Sequence, residues 1–182
     1  LTWPAAYRLH HAVRGGLLMH TLSIVKLCEG VCEVYPFVNK DLLLTGAMLH
    51  DIAKTTEYDV GASGIASGYT VEGNLIGHLV KGAMLVDEAA TELSISREKA
   101  MLVEHMLISH HGEPEYGAAV RPMFLEAELL SELDLMDARV YQIAHAIENV
   151  EENGFSSRLW ALEDRRIYKH ETKQDSTKVN LE

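Results

Sequence analysis

Residues 39–54 read NKDLLLTGAMLHDIAK, and this stretch decides the fold class of the chain. Asn39 is a favourable N-cap, and the residues after it place leucine, alanine and histidine at three- and four-residue steps, as one face of a helix requires. The spacing predicts a helix that begins after Asn39 and runs to about Lys54. Its last turns carry an adjacent histidine and aspartate, His50 and Asp51, beside a loop.

Helical periodicity continues on both sides of this stretch. Helices are predicted over residues 16–35, 74–93, 96–110 and 123–152, with a short terminal helix over 158–168. Residues 55–73 are rich in glycine, serine and threonine, which predicts a loop or a short hairpin. Because we find no internal repeat and no strong strand pattern, the predicted fold class is all-α, a helical bundle.

The length of 182 residues is typical of one compact domain. We expect this domain to span residues 1–170 and the polar residues 171–182 to form a C-terminal tail. No apolar run reaches the roughly 18 residues that a membrane span needs. No basic start followed by an apolar stretch indicates a signal peptide. These features predict a cytoplasmic protein with no membrane partner.

The formal net charge of −11 argues against an extended phosphate-binding surface, because nucleic-acid grooves depend on lysine and arginine. Bound divalent cations would offset part of this charge locally. Arg121 and Arg139 could contact phosphate, but solvated charges on an acidic protein are the simpler interpretation. Cys28 and Cys32 lie four residues apart in a predicted helix, so we expect free thiols that fill core space.

The predicted helices carry histidines and aspartates among the apolar residues that should face the core. Four helices carry one histidine each near apolar neighbours, and two carboxylates join them; the set is His20, His50, His78, His110, Asp51 and Asp134. A lone histidine on a helix is more often structural than a ligand, but several helices that each contribute a ligand type indicate a metal site. Imidazole with carboxylate suits Mn, Fe, Zn and related divalent ions, which predicts metal-assisted attack by water.

Asp51 and Lys54 are the predicted catalytic residues. Asp51 is placed to share its carboxylate between two metals, and Lys54 follows His50 by one turn, where its ammonium can neutralise charge on a phosphate oxygen. A lysine at the end of a helix is also favoured by the helix dipole alone, which is the simpler alternative. Two residues are candidates for the last carboxylate ligand of the site, here called the distal acid. They are Asp134 and Asp137, which lie one turn apart on one helix.

The order of these residues resembles the two-metal branch of the HD phosphohydrolase superfamily. Residues 50–54 (HDIAK) are similar to its HD-x-G-K motif, with Ala53 in place of glycine. The resemblance implies an all-α HD domain and favours Asp134 over Asp137, because Asp134 precedes an acid-alanine step as the family's distal ligand does. It implies two metal-ligand sets that share one carboxylate: His20, His50, Asp51 and Asp134, and Asp51, His78, His110 and His111.

A narrower resemblance is to the HD portion of YhaM-type 3′-to-5′ exoribonucleases. It is carried by residues 15–21 (GGLLMHT), 72–78 (EGNLIGH), 109–113 (SHHGE) and 160–162 (WAL). The resemblance implies two Mn²⁺ ions and the removal of nucleotides from single-stranded RNA, and Fe, Zn, Ni or Co would accept the same ligands. Members normally carry an oligonucleotide-binding β-barrel domain before the HD domain, and no segment of this chain reads as one.

The predicted function is a metal-dependent phosphodiesterase, a 3′-to-5′ exoribonuclease-type catalytic domain that acts on single-stranded RNA or oligonucleotides. One alternative is a phosphohydrolase of small nucleotides. Its cyclic-dinucleotide variant carries a Gly-Tyr-Pro signature after the His-His pair, which residues 113–117 (EPEYG) lack. The other alternative is a non-catalytic HD module that binds a nucleotide and regulates a partner, although such modules usually lose ligands that are all present here.

Overall fold

The computed structural model of the chain describes residues 3–6 and 13–171. Its helices are α1 (Gly16–Val34), α2 (Lys40–Leu49), α3 (Lys54–Glu57), α4 (Val71–Leu75), α5 (Gly77–Glu92), α6 (Arg97–Ser109) and α7 (Leu125–Ile147). Two short antiparallel pairs accompany them: β1 (Tyr58–Val60) with β2 (Ala66–Tyr69), and β3 (Gly154–Phe155) with β4 (Tyr168–Lys169). The predicted all-α fold class is confirmed. No helix within the described ranges has the length and apolar character to cross a membrane.

The hydrophobic core lies between α1, α2, α6 and α7. Ile24 of α1, Leu43 of α2, Met106 of α6 and Leu130 of α7 are fully buried in it. Cys28 belongs to the same cluster and has a free thiol, as the sequence predicts. Burial of a side chain of this size contributes roughly 1.5–3 kcal/mol. The core therefore holds together four of the helices on which the candidate site is built.

Helix α2 begins where predicted and ends earlier. The Asn39 side-chain oxygen accepts a hydrogen bond from the Leu42 amide at 3.2 Å, which is the expected N-cap. The helix ends at Leu49 rather than near Lys54, because the Lys54 amide donates to the Asp51 carbonyl at 3.0 Å in a tight turn. This turn carries Asp51 directly after His50, the C-cap residue of α2.

Residues 55–73 contain the predicted hairpin, in which β1 pairs with β2 and Tyr58 lies opposite Tyr69, between the end of α3 and the start of α4. The single helix predicted over residues 74–93 is divided into α4 and α5 instead. Gly77 causes the break, because its φ of +71° lies in the left-handed region that ends helices and favours glycine. The break places His78 in the first turn of α5, next to the end of α3.

The prediction of a helix over residues 158–168 is wrong. The segment forms a short 3₁₀ turn at Trp160–Leu162, and its last residues enter β4, which pairs with β3. Glu163 and Asp164 have φ of 51° and 57°, which end any right-handed helix there. The Ser156 amide donates to the Ile167 carbonyl at 2.8 Å, so the backbone is satisfied across the two segments. The predicted tail after residue 171 lies outside the described residues.

Candidate metal centre

The seven predicted metal-site residues come together at one centre, although they are far apart in the sequence. Helix α1 supplies one residue from its second turn, the turns after α2 and α6 supply two each, and α5 and α7 supply one each. These residues are His20, His50, Asp51, His78, His110, His111 and Asp134. The structure therefore unites every side chain that the sequence grouped.

One side of the centre is formed by His20, His50, Asp134 and one oxygen of Asp51. The Nε2 atoms of His20 and His50 lie 3.1 Å apart. His20 Nε2 is 3.1 Å from Asp134 Oδ1 and 3.7 Å from Asp51 Oδ2, and His50 Nε2 is 3.4 Å from the same Asp51 oxygen. Four potential ligand atoms thus converge on a small volume.

The other side is formed by His78, His110, His111 and the second oxygen of Asp51. Asp51 Oδ1 lies 3.5 Å from His78 Nε2 and 3.6 Å from His110 Nε2. Each of the three histidines offers a ring nitrogen within 4.8 Å of the others. The Asp51 carboxylate therefore stands between two histidine clusters and presents one oxygen to each.

Three atoms at the centre are buried and have no hydrogen-bond partner among the described residues: Asp51 Oδ1, His78 Nε2 and His110 Nε2. Buried polar atoms are normally paired, because an unmet hydrogen bond costs roughly 1–3 kcal/mol. All three are suitable ligand atoms for a divalent cation, and they face one another. The residues present therefore fit the metal that the sequence implies.

Each histidine at the centre uses Nδ1 for a hydrogen bond to the protein. His50, His110 and His111 donate to the backbone carbonyls of Ala47, Leu107 and Tyr116 at 2.8–2.9 Å. These bonds set the tautomer that leaves Nε2 without a proton and facing the centre. The backbone thus prepares three imidazoles as ligands.

Two carboxylates orient the remaining histidines. Asp137 Oδ2 accepts from His20 Nδ1 at 2.8 Å, so it lies behind the ring, whereas Asp134 lies on the Nε2 side. Glu57 accepts from both the His78 ring Nδ1, at 2.9 Å, and the His78 amide, at 3.1 Å. Glu57 is not among the site residues predicted from the sequence. Its position one turn after Lys54 is the sequence feature that could have identified it. Only the fold shows that it accepts a hydrogen bond from His78.

Protonation at the centre follows from burial and from these contacts. Burial lowers the pKa of His110 to about 3, so its imidazole is neutral at physiological pH. Burial would raise the pKa of Asp51, but the Lys54 ammonium and His50 hold it well below its usual range. Burial lowers the pKa of His20 as well, but the hydrogen bonds to Asp134 and Asp137 together have the larger effect and raise this pKa to about 9. The pocket around His20 is therefore strongly anionic, which favours any cation.

Lys54 is buried at the centre, and its Nζ donates to Asp51 Oδ2 at 2.7 Å. That oxygen is the one that faces His20 and His50. The ammonium thus lies beside the predicted ligands with part of its charge offset by Asp51. From this place it can balance the charge of an anion that binds at the centre.

A cavity of about 540 Å³ opens onto the centre. His110, His111 and Asp134 form part of its wall, and α7 contributes a stripe that runs from Glu128 to Gln142. This volume falls in the range of cavities that bind small molecules. A substrate in it would lie directly against the candidate ligands.

Comparison with known proteins identifies the HD domain family over residues 17–139. Proteins named 3′-5′ exoribonuclease YhaM in Bacillus licheniformis and Bacillus subtilis are each 37% identical over 169 residues, which is 93% of this chain and 53% of theirs. The protein of that name in Listeria welshimeri is 39% identical over 166 residues, 91% of this chain and 52% of its own. The chain spans about half the length of these curated relatives. No solved structure gives a significant match.

Proposed function

This chain belongs to the HD domain family, and from that premise we propose that it is the catalytic domain of a two-metal phosphodiesterase that removes nucleotides from the 3′ end of single-stranded RNA. The proposal names a reaction class, a metal and a substrate. Each rests on a different observation.

The reaction class rests on Asp51. Its two oxygens lie 3.4–3.7 Å from histidine nitrogens on opposite sides, and one oxygen is buried without a hydrogen-bond partner among the described residues. A carboxylate in this position suits a bridge between two cations better than a structural role, because a structural carboxylate would be satisfied by protein donors. This single observation carries the assignment.

The residues divide the work in the following way. His20, His50 and Asp134 would hold one ion, His78, His110 and His111 the other, and Asp51 both. Such ions activate water for attack on phosphorus and neutralise charge as it develops. Lys54, buried beside Asp51, would stabilise a phosphate oxygen, while Asp137 and Glu57 keep His20 and His78 in the ligating orientation. We propose Mn²⁺ as the ion, because neutral imidazole combined with carboxylate suits it.

The proposed substrate follows from the relatives' names and from the charge of the chain. The relatives that cover 91–93% of this chain are named exoribonucleases. Roughly half of their length has no counterpart here, which leaves room for an oligonucleotide-binding domain. The chain itself has a net charge of −11, which disfavours tight binding of long RNA. We therefore propose short single-stranded oligoribonucleotides as substrates of this domain, in the cytoplasm.

The test uses the purified chain with Mn²⁺ and an oligoribonucleotide labelled at its 5′ end. We expect a ladder that shortens from the 3′ end with release of nucleoside monophosphates, and no ladder after chelation. Asp51→Ala should lose activity, whereas Asp87→Ala, a change of an exposed aspartate on α5, should retain it. Equal release by the wild type and Asp51→Ala would contradict the proposal. Hydrolysis of mononucleotides alone would favour the small-nucleotide alternative.

A further inference from the structure

Trp160 is an exposed aromatic residue in the wall of the cavity that opens onto the metal centre. Its side chain is 76% exposed, although tryptophan is usually well buried. It follows β3 in the chain and stands in the 3₁₀ turn Trp160–Leu162. Within the part of the chain that the structure describes, no hydrogen bond or ring contact engages the indole.

The turn that carries Trp160 is firmly held, so the exposure is not that of a loose segment. Leu162 is fully buried and anchors the turn. The Leu159 amide donates to the Arg165 carbonyl at 3.1 Å, and the Arg165 side chain donates back to the Leu162 carbonyl at 3.0 Å. The fold thus fixes a largely exposed aromatic side chain in the wall of the cavity that His110, His111 and Asp134 also line.

The cavity offers little to hold phosphate beyond the metal centre itself. Arg121 pairs with Glu113 at 2.6 Å, and Arg139 pairs with Glu163 at 3.3 Å. Further carboxylates, among them Glu128 and Glu132, line the same wall. Because the acidic residues of this wall outnumber its two arginines, a charged backbone gains little there. Recognition of a substrate in this cavity must therefore depend mainly on its uncharged parts.

We propose that Trp160 is the stacking platform for the base of the nucleotide whose phosphate lies at the metal centre. Every nucleobase has a flat face, so stacking binds all four bases and requires an unpaired strand. Tyr116 is also exposed in the cavity wall, so the loss of the nucleotide preference in Trp160→Ala is the result that assigns the stacking to Trp160. This inference rests on the proposed function, since it takes the metal centre to be the place where phosphate binds.

The direct test is fluorescence in a Trp3→Phe background, in which Trp160 is the only one of the chain's two tryptophans to remain. The probes are adenosine 5′-monophosphate and ribose 5-phosphate with Mn²⁺, which share the phosphate and differ in the base. We expect the nucleotide to quench Trp160 and to bind about 5- to 150-fold more tightly than the sugar phosphate, as one stacked base implies. Equal affinity for the two probes, or saturation without quenching, would overturn the inference.

Variants separate stacking from folding. Because these variants lose the fluorophore, titration calorimetry measures their affinities for the two probes. Trp160→Ala should abolish the preference for the nucleotide over the sugar phosphate, and Trp160→Phe should keep most of it. Phe37→Ala is the matched control, because Phe37 is 75% exposed but lies outside the cavity wall. A Trp160→Ala protein that retains the preference would contradict the inference. If the wild type hydrolyses no oligonucleotide but still prefers the nucleotide, the proposed function fails while the stacking site stands.

Discussion

Two aspartates one turn apart on α7 take opposite sides of the same imidazole. Asp134 lies 3.1 Å from His20 Nε2, and Asp137 lies 2.8 Å from His20 Nδ1. Residue spacing alone does not distinguish the two aspartates, and the family resemblance favours Asp134 as the ligand. The geometry supports a division of labour in which Asp134 binds metal and Asp137 orients the ring.

Alanine substitution of each aspartate would test this division. Asp137→Ala should weaken Mn²⁺ binding by about 10–100-fold, the usual cost of removing a partner of a metal-bound histidine. Asp134→Ala should weaken it further, because a ligand is lost. Titration calorimetry with Mn²⁺ measures both, with Asp87→Ala as the control. A larger loss in Asp137→Ala than in Asp134→Ala would reverse the two roles.

Helix α4 is pressed against the end of α3, and this contact positions Glu57. A methyl group added at Gly73 would collide with the carbonyl oxygen of Glu57 and lie 2.9 Å from its Cα. Because the obstacles are backbone atoms, no side-chain rotation can relieve them. Glu57 in turn holds both the ring and the amide of His78. Close helix packing is thus connected to His78, one of the proposed ligands of the metal centre.

Gly73→Ala should therefore lower both stability and metal binding. Overpacking of this kind costs about 1–3 kcal/mol, and displacement of Glu57 should weaken the ion held by His78. Gly30→Ala is the control, because Gly30 lies within α1 with open space around it, and alanine there should be neutral or stabilising by up to about 1 kcal/mol. Urea unfolding and Mn²⁺ titration measure the two effects. Similar stabilities for the two variants would show that the α3 and α4 contact is not tight.

The proposed ligands of the metal centre come from α1, α5 and α7 and from the turns after α2 and α6. Bound ions would therefore connect most of the helices of the fold, and the unfolded chain has no comparable site. A ligand that binds only the folded state adds about 2.7 kcal/mol of stability at 100 times its dissociation constant. The whole domain, and not one element, should respond to metal.

Addition of Mn²⁺ to the chelator-treated chain should raise its Tm by about 5–10 °C at that concentration. Thermal unfolding followed by circular dichroism measures the shift. Asp51→Asn should show a much smaller one, because it removes the charge shared by both sides of the centre. An equal shift in the wild type and Asp51→Asn would mean that the stabilising ions bind elsewhere.

Short stretches of sequence were sufficient to predict the fold class and the types of residue that form the candidate metal centre. Helical spacing predicted α1, α2, α6 and α7 with shifts of a few residues at their ends, and Asn39 was recognised as a cap. The grouped histidines and aspartates were identified by residue type and order. These features are readable because periodicity, capping and ligand chemistry depend on a residue and its near neighbours.

Long-range contacts decided the rest. The hydrogen bond between His20 and Asp137 joins residues 117 positions apart, and the β4 pairing that replaces the predicted terminal helix joins two separate segments. Three further features likewise depend on the residues that pack nearby: the break at Gly77, the hydrogen bonds from His78 to Glu57, and the exposure of Trp160. The residue types in this sequence determined that a metal could be bound. Which ring nitrogen of each histidine faces the candidate centre, and which residues lie beside it, was decided only by the tertiary structure, because orientation depends on partners brought close by folding.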